Sequence, residues 1–293
     1  MIESIVLKNT VLGTRININK SRGEYWLDSV DWGVVEGTNH TFKYIDQIGE
    51  SVYNTTLEPR QIQIIGWVAA WDSLAVTRMK RVLNSFINPQ HLMEAYANGM
   101  KIKFYPRTSV KYGITHQENN ELICKFLITG YCPYPLFTDE NSRSVSVAHT
   151  ERRLVFPLVI PEDQGLIMGL LQPTLIAEIS NPGDFEVGYS IELKANGTVI
   201  NPILTDIDSQ EFISIKKTLT AGEVIRIDTR EGQRQIRGGL ENPSSNYFQY
   251  RTFDSSWLSL KRGMNYLRYD AEEGVDSLEV SILFDPAYLE VDT

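Results

Sequence analysis

Apolar residues alternate with polar ones along most of this chain, and the alternation is cleanest in its last third, from Leu219 to Val291. There Ile225 and Ile227, Leu258 and Leu260, and Leu278, Val280 and Ile282 recur at every second position. That is the period of a strand with one buried face. Turn signals divide the runs at Ala221-Gly222, Glu231-Gly232, Arg262-Gly263 and Glu273-Gly274. Upstream, residues 154–160, 175–179, 189–193 and 212–215 read as further strands. The segments Asn181-Pro-Gly-Asp and Asn196-Gly197 lie between them, and Asn-Gly is among the strongest hairpin signals. Short strands at this spacing, with no helical period among them, predict a β-sandwich or jelly roll.

The first half mixes periods. Residues 1–12 and 25–32 read as strands, and the polar, turn-rich stretch 36–58 as strand and loop around Phe42, Tyr44 and Tyr53. A firmer strand opens at Arg60, with Ile62 and Ile64 on one side and Gln61 and Gln63 on the other. Asp72 or Ser73 then offers a helix N-cap. Leu74, Met79, Val82, Leu83 and Phe86 recur at helical spacing and predict one buried helix face, with Lys80 and Arg81 turned away and Arg78 at its edge. Pro89 ends this helix. It also suits the first turn of a second one through Leu92, Met93 and Tyr96, stopped at Asn98-Gly99. Strands follow at 101–105 and 121–131. Pro133 and Pro135 remove two amide donors and should lead the chain out of the sheet. The polar residues 139–152 read as a linker between an N-terminal domain, 1–138, and a C-terminal sandwich, 153–293.

Charge supports that division. The chain of 293 residues carries a net charge of −9. Residues 1–138 hold 14 Lys/Arg against 12 Asp/Glu, whereas 139–293 hold 14 against 25. The acidic half would repel phosphates, so no specific nucleic-acid binding is expected. The first residues lack a basic region followed by an apolar core, and no run approaches a membrane span, so synthesis and assembly in a cytoplasm are expected. Cys124 and Cys132 on one strand would stand roughly 26 Å apart and could not pair. The four histidines, His40, His91, His116 and His149, show no metal-ligand spacing. There is no nucleophile elbow and no phosphate loop. The chain is read as a non-enzyme without metal or cofactor.

Two clusters are candidates for contact. Tyr247, Tyr250 and Trp257, with Phe248, Phe253, Arg251 and Asn246 nearby, could stack on a sugar or serve as core and subunit packing. Arg78, Lys80 and Arg81 on one helical turn could be a solvated face or a charge-complementary subunit or partner interface.

Three stretches carry a family resemblance. They are the Arg60 strand with the helix that follows it, the strand 122–131 with its Cys132-Pro-Tyr-Pro-Leu-Phe exit, and a C-terminal series. That series comprises Asn181-Pro-Gly-Asp-Phe-Glu, residues 222–232, Leu258-x-Leu-x-x-Gly263-x-Asn265 and 286–291. In their order and spacing the chain resembles the distal tail protein (Dit) family of phages infecting Gram-positive hosts. The resemblance implies a mainly β protein with a small α+β part: an N-terminal ring-forming β domain with one or two helices, and a C-terminal galectin-like or jelly-roll β-sandwich. It implies a tail-tip or baseplate structural component of a phage, prophage or tailocin. Such a component would form a homohexameric ring, or two stacked rings, joining the tail tube protein to the hub, the tail-associated lysin and peripheral or receptor-binding proteins. The alternative is a lectin-like protein adsorbing to the host surface through its sandwich.

Overall fold

The computed structural model describes residues 2–21, 23–146, 148–152, 169–173 and 175–291. The expected strand at 154–160 lies outside these residues. The chain forms two compact units: Met1–Glu140 with Tyr288–Thr293, and Asn141–Ala287.

In the first unit one sheet runs through Phe137–Asp139, Met100–Pro106, Met93–Ala97, Ser4–Asn9, Arg15–Asn19, Tyr25–Asp31, Arg60–Ala69, Ile123–Cys132 and Lys111–Tyr112, in that spatial order. A further pairing, Gly130 opposite Pro106 and Tyr131 opposite Tyr105, closes the sheet on itself. The alternation read from sequence is the burial pattern found. Ile62, Ile64 and Val68 are buried while Gln61 and Gln63 are exposed. Cys124, Phe126, Ile128 and Cys132 are buried on the facing strand, and the two thiols are free. The chain end returns to this unit, with Val291 buried in its core and the Leu289 carbonyl accepting from Arg60 Nη2 at 2.5 Å.

One helix, α1 (Ser73–Phe86), packs on this sheet. Asp72 caps it, its Oδ1 accepting from the amides of Leu74 and Ala75. The buried face differs from the predicted one. Val76, Leu83 and Phe86 are buried and Met79 packs beside them, whereas Leu74 is 56% and Val82 53% exposed. Positions 76, 79, 83 and 86 are three or four apart and fill one stripe, which leaves 74 and 82 off it.

The second expected helix is a strand. Met93–Ala97 pairs with both Ser4–Asn9 and Met100–Pro106, and Met93, Ala95 and Ala97 are buried at period two. Asn98 and Gly99 have φ of 48° and 78°, the paired left-handed conformation of a tight hairpin turn rather than a helix stop. Asn196-Gly197, expected to turn a hairpin, does not. The strands either side, Val187–Ala195 and Val199–Ile200, each pair elsewhere. A Cβ on Gly197 would stand 2.8 Å from Ser277 Oγ, so this glycine serves a close approach.

The second unit contains two main antiparallel sheets. One orders Arg143–Ser146, Leu278–Phe284, Val187–Ala195, Glu223–Asp228, Gln235–Leu240 and Ser245–Asn246. The other orders Ile176–Asn181, Gly263–Asp270, Ile203–Asp206 and Phe212–Ser214. Ile225, Ile227, Leu258, Leu260, Leu278, Val280 and Ile282 are all buried, as the alternation predicted. Residues 143–146, read as part of a polar linker, form a strand against 281–284. That edge strand is largely exposed, which is why its sequence carries no apolar signal.

Outside the closed sheet, Gly37–Phe42 and Ser51–Leu57 form a hairpin paired only with itself among the described residues.

The corrected helix face predicts unequal costs. Leu83→Ala should destabilise the first unit by about 2–5 kcal/mol, since it empties a buried site. Leu74→Ala should stay within about 0.5 kcal/mol of the parent. Chemical denaturation of both variants checks this, and equal losses would contradict the observed face.

Candidate assembly surfaces

The outward face of α1 is set by what its inward face buries. Arg78 and Arg81 project to solvent and make no ion pair among the described residues. Lys80 parts company with them. Its ammonium donates to Asn119 Oδ1 at 2.7 Å and lies 5.5 Å from the centre of the Tyr112 ring. The single Tyr112 hydroxyl proton is shared between two acceptors, the Lys80 carbonyl at 3.1 Å and Asn84 Oδ1 at 2.9 Å. Of the three predicted interface cations, the structure brings two together and ties the third to its own unit. The same outward face carries exposed Leu74 and Val82, with Trp71 fully exposed just before the cap.

The aromatic cluster of the sandwich is engaged internally. Tyr247 and Tyr250 meet edge to face at 5.2 Å. Lys217 lies over both rings, 5.3 and 5.8 Å from their centres, and pairs with Glu223 at 2.7 Å. The Tyr247 hydroxyl donates to the same oxygen, Glu223 Oε1, at 2.9 Å, and the Thr220 amide donates to Oε2. Trp257 is a separate group, flanked by Arg251 at 5.1 Å, Arg234 at 5.8 Å and Phe248 at 6.2 Å. The predicted trio therefore splits into a Tyr247–Tyr250–Lys217–Glu223 network and a Trp257 face bracketed by guanidinium groups. Phe253 stands almost fully exposed.

Burial alone would raise the Glu223 carboxyl. Hydrogen bonds from Lys217, from Tyr247 and from the Thr220 amide, with the Lys217 charge, outweigh it and hold the group below its ordinary value. The Tyr247 hydroxyl is pushed up, first by burial and then by the carboxylate it serves. No group of three or more His, Cys, Asp or Glu converges on a metal-sized site among the described residues.

One surface escaped the sequence reading. In the Gly37–Leu57 hairpin region Phe42, Tyr44 and Tyr53 cluster, with Phe42 4.9 Å from Tyr44 and 6.1 Å from Tyr53, while Ile45 and Ile48 are almost wholly exposed. The only signal for it was aromatic and isoleucine residues set in an otherwise polar stretch, which does not distinguish a projecting hairpin from a core strand.

Residues 182–288 match a protein family described as siphovirus-type tail component, C-terminal domain. The fold is similar to that of the SPP1 Dit protein, described as a paradigm of the hub adsorption apparatus in Gram-positive infecting phages. The TM-score is 0.67 at 12% identity, covering 97% of this chain and 99% of that one. It is also similar to a chain of the phage P2 baseplate in its activated conformation with Ca, at TM-score 0.51 and 11% identity over 97% and 98% of the two chains. A chain of the same baseplate with Sr gives 0.50 and 10% over 97% and 98%. At these identities the likeness is one of fold. No curated protein matches the chain.

The depressed Glu223 carboxyl gives a signed prediction. A lowered folded pKa contributes stability that is complete above the unfolded value and is lost as pH falls through the folded one. Lys217→Met removes the main charge partner and should cost about 1–3 kcal/mol near neutral pH. The gap between variant and parent should close as pH drops below the ordinary carboxylate range. Unfolding midpoints across pH test it; a gap constant in pH would show that Lys217 acts by packing alone.

Proposed function

We propose that this chain, a member of the siphovirus-type tail component (Dit) family, is the ring-forming hub of a phage tail tip. In this reading copies assemble into a homohexameric ring, or two stacked rings, between the tail tube and the baseplate. The sandwich units dock peripheral or receptor-binding proteins, and the tail-associated lysin or hub protein seats on the distal side. The observation that carries it is the likeness to the SPP1 hub protein over 97% of this chain and 99% of that one, both units included.

Physical features agree. A sheet closed on itself hides its edges from uncontrolled strand addition and suits a rigid ring component. The engagement of Tyr247 with Glu223, and of Trp257 with two arginines, favours structural duty for the 247–257 cluster over sugar stacking. A ring that passes DNA needs a lumen without clustered phosphate-binding cations. The slight positive excess of residues 1–138 should then lie at protein contacts instead.

Light scattering on the full chain across a concentration series tests this. The hub reading expects about six times the 33.4 kDa chain mass at high concentration, or twice that for stacked rings, with annular particles by negative stain. A monomer or dimer at every concentration that also binds a glycan array would favour the lectin-like alternative.

A further inference from the structure

We propose that the Gly37–Leu57 hairpin of one copy docks on the outward face of α1 of a second copy, so that each chain offers one surface and receives the other. The inference rests on the ring reading and names the contact that would build it.

The hairpin is the first ground. A two-stranded hairpin alone is marginally stable in water. This one pairs with nothing else among the described residues, and only His40 and Ser51 of its strand residues are even half-buried. It nonetheless carries Phe42, Tyr44 and Tyr53 as a ring cluster, with Ile45 and Ile48 bare at its turn. A contiguous exposed apolar surface of this kind marks a site of protein contact.

The second ground is its counterpart on the same unit. Leu74, Arg78, Arg81 and Val82 line the outward stripe of α1, and Trp71 stands beside the cap. The two surfaces are opposite in charge. Residues 73–86 contain three basic residues and no acidic one. Residues 36–58 contain four acidic residues, Glu36, Asp46, Glu50 and Glu58, against Lys43 alone, a net −3. Guanidinium groups also stack well on aromatic faces, so Arg78 and Arg81 match the ring cluster as well as the carboxylates. Two unlike, complementary patches on one chain make a heterologous contact, the kind that generates rings when the rotation closes. A second copy is therefore the occupant that the charges favour.

The test uses the full chain. Arg78→Glu with Arg81→Glu should weaken assembly by about tenfold or more at low salt in sedimentation, with the difference shrinking as salt rises. Both residues are exposed, so the unfolding midpoint should not move. Adding Asp46→Lys and Glu50→Lys to that chain should restore assembly, because the charges are exchanged across the contact. If the reversed chain assembles as the parent does at every salt, or if the hairpin exchange fails to restore it, this docking is overturned while the ring reading stands. If the parent itself never assembles, the ring reading falls and this contact with it.

Discussion

The register of the strand Arg60–Ala69 is the constraint on which the first unit depends. It pairs along its length with Ile123–Cys132 on one side and with Tyr25–Asp31 on the other. Its buried positions, Ile62, Ile64 and Val68, point into the core from which α1 takes its inward partners. A slip of one residue would turn those side chains to solvent and bring Gln61 and Gln63 inside. The orientation of α1 follows from this choice. Burying Val76, Leu83 and Phe86 fixes which side of the helix is left outward, and so leaves Arg78 and Arg81 exposed. The outward surface of the helix is thus the remainder of a packing decision made on the opposite face.

The buried Arg60 shows the same coupling at the strand's start. It is only 2% exposed, lies 4.9 Å from the Phe137 ring and gives one hydrogen bond to the carbonyl of Leu289. Desolvation lowers its pKa, while Glu290 and the Cys132 thiol act the other way. A cation so placed needs a strong acceptor nearby. The chain end supplies the Leu289 carbonyl, and Tyr288–Thr293 belong with the first unit although the sequence between them builds the second.

What the sequence showed and what it hid divide along a physical line. Period-two burial was legible wherever one face of a strand is covered, as at Ile225 and Ile227 or Ile62 and Ile64. Local turn chemistry was less so, and the two Asn-Gly pairs show why. Asn98-Gly99 was read as ending a helix because Pro89, Leu92, Met93 and Tyr96 imitate helical spacing, yet both residues adopt positive φ and turn a hairpin. Asn196-Gly197 looked like the turn and instead serves an approach to Ser277. The same dipeptide is satisfied by different long-range partners, and those partners are invisible in a window of a few residues. The helix was placed correctly, but its buried stripe was shifted because Leu74 and Val82 are apolar without being covered within one chain. The aromatic trio was read as one site, whereas Lys217 and Glu223, distant in sequence from Tyr247, divide it.

That shift in the helix bears on how the proposed contact would select its partner surface. Leu74, Val82, Trp71, Ile45 and Ile48 are exposed in the single chain and would favour indiscriminate association if hydrophobic contact alone governed encounter. The arginines among the first set and the carboxylates beside the second impose a sign on that encounter. Helix against helix and hairpin against hairpin both bring like charges together, whereas hairpin against helix does not. Repulsion in the two wrong pairings is a cheap way to select one heterologous geometry from three, since specificity is a difference between affinities. A ring built this way would draw most of its contact energy from apolar burial and its direction from charge.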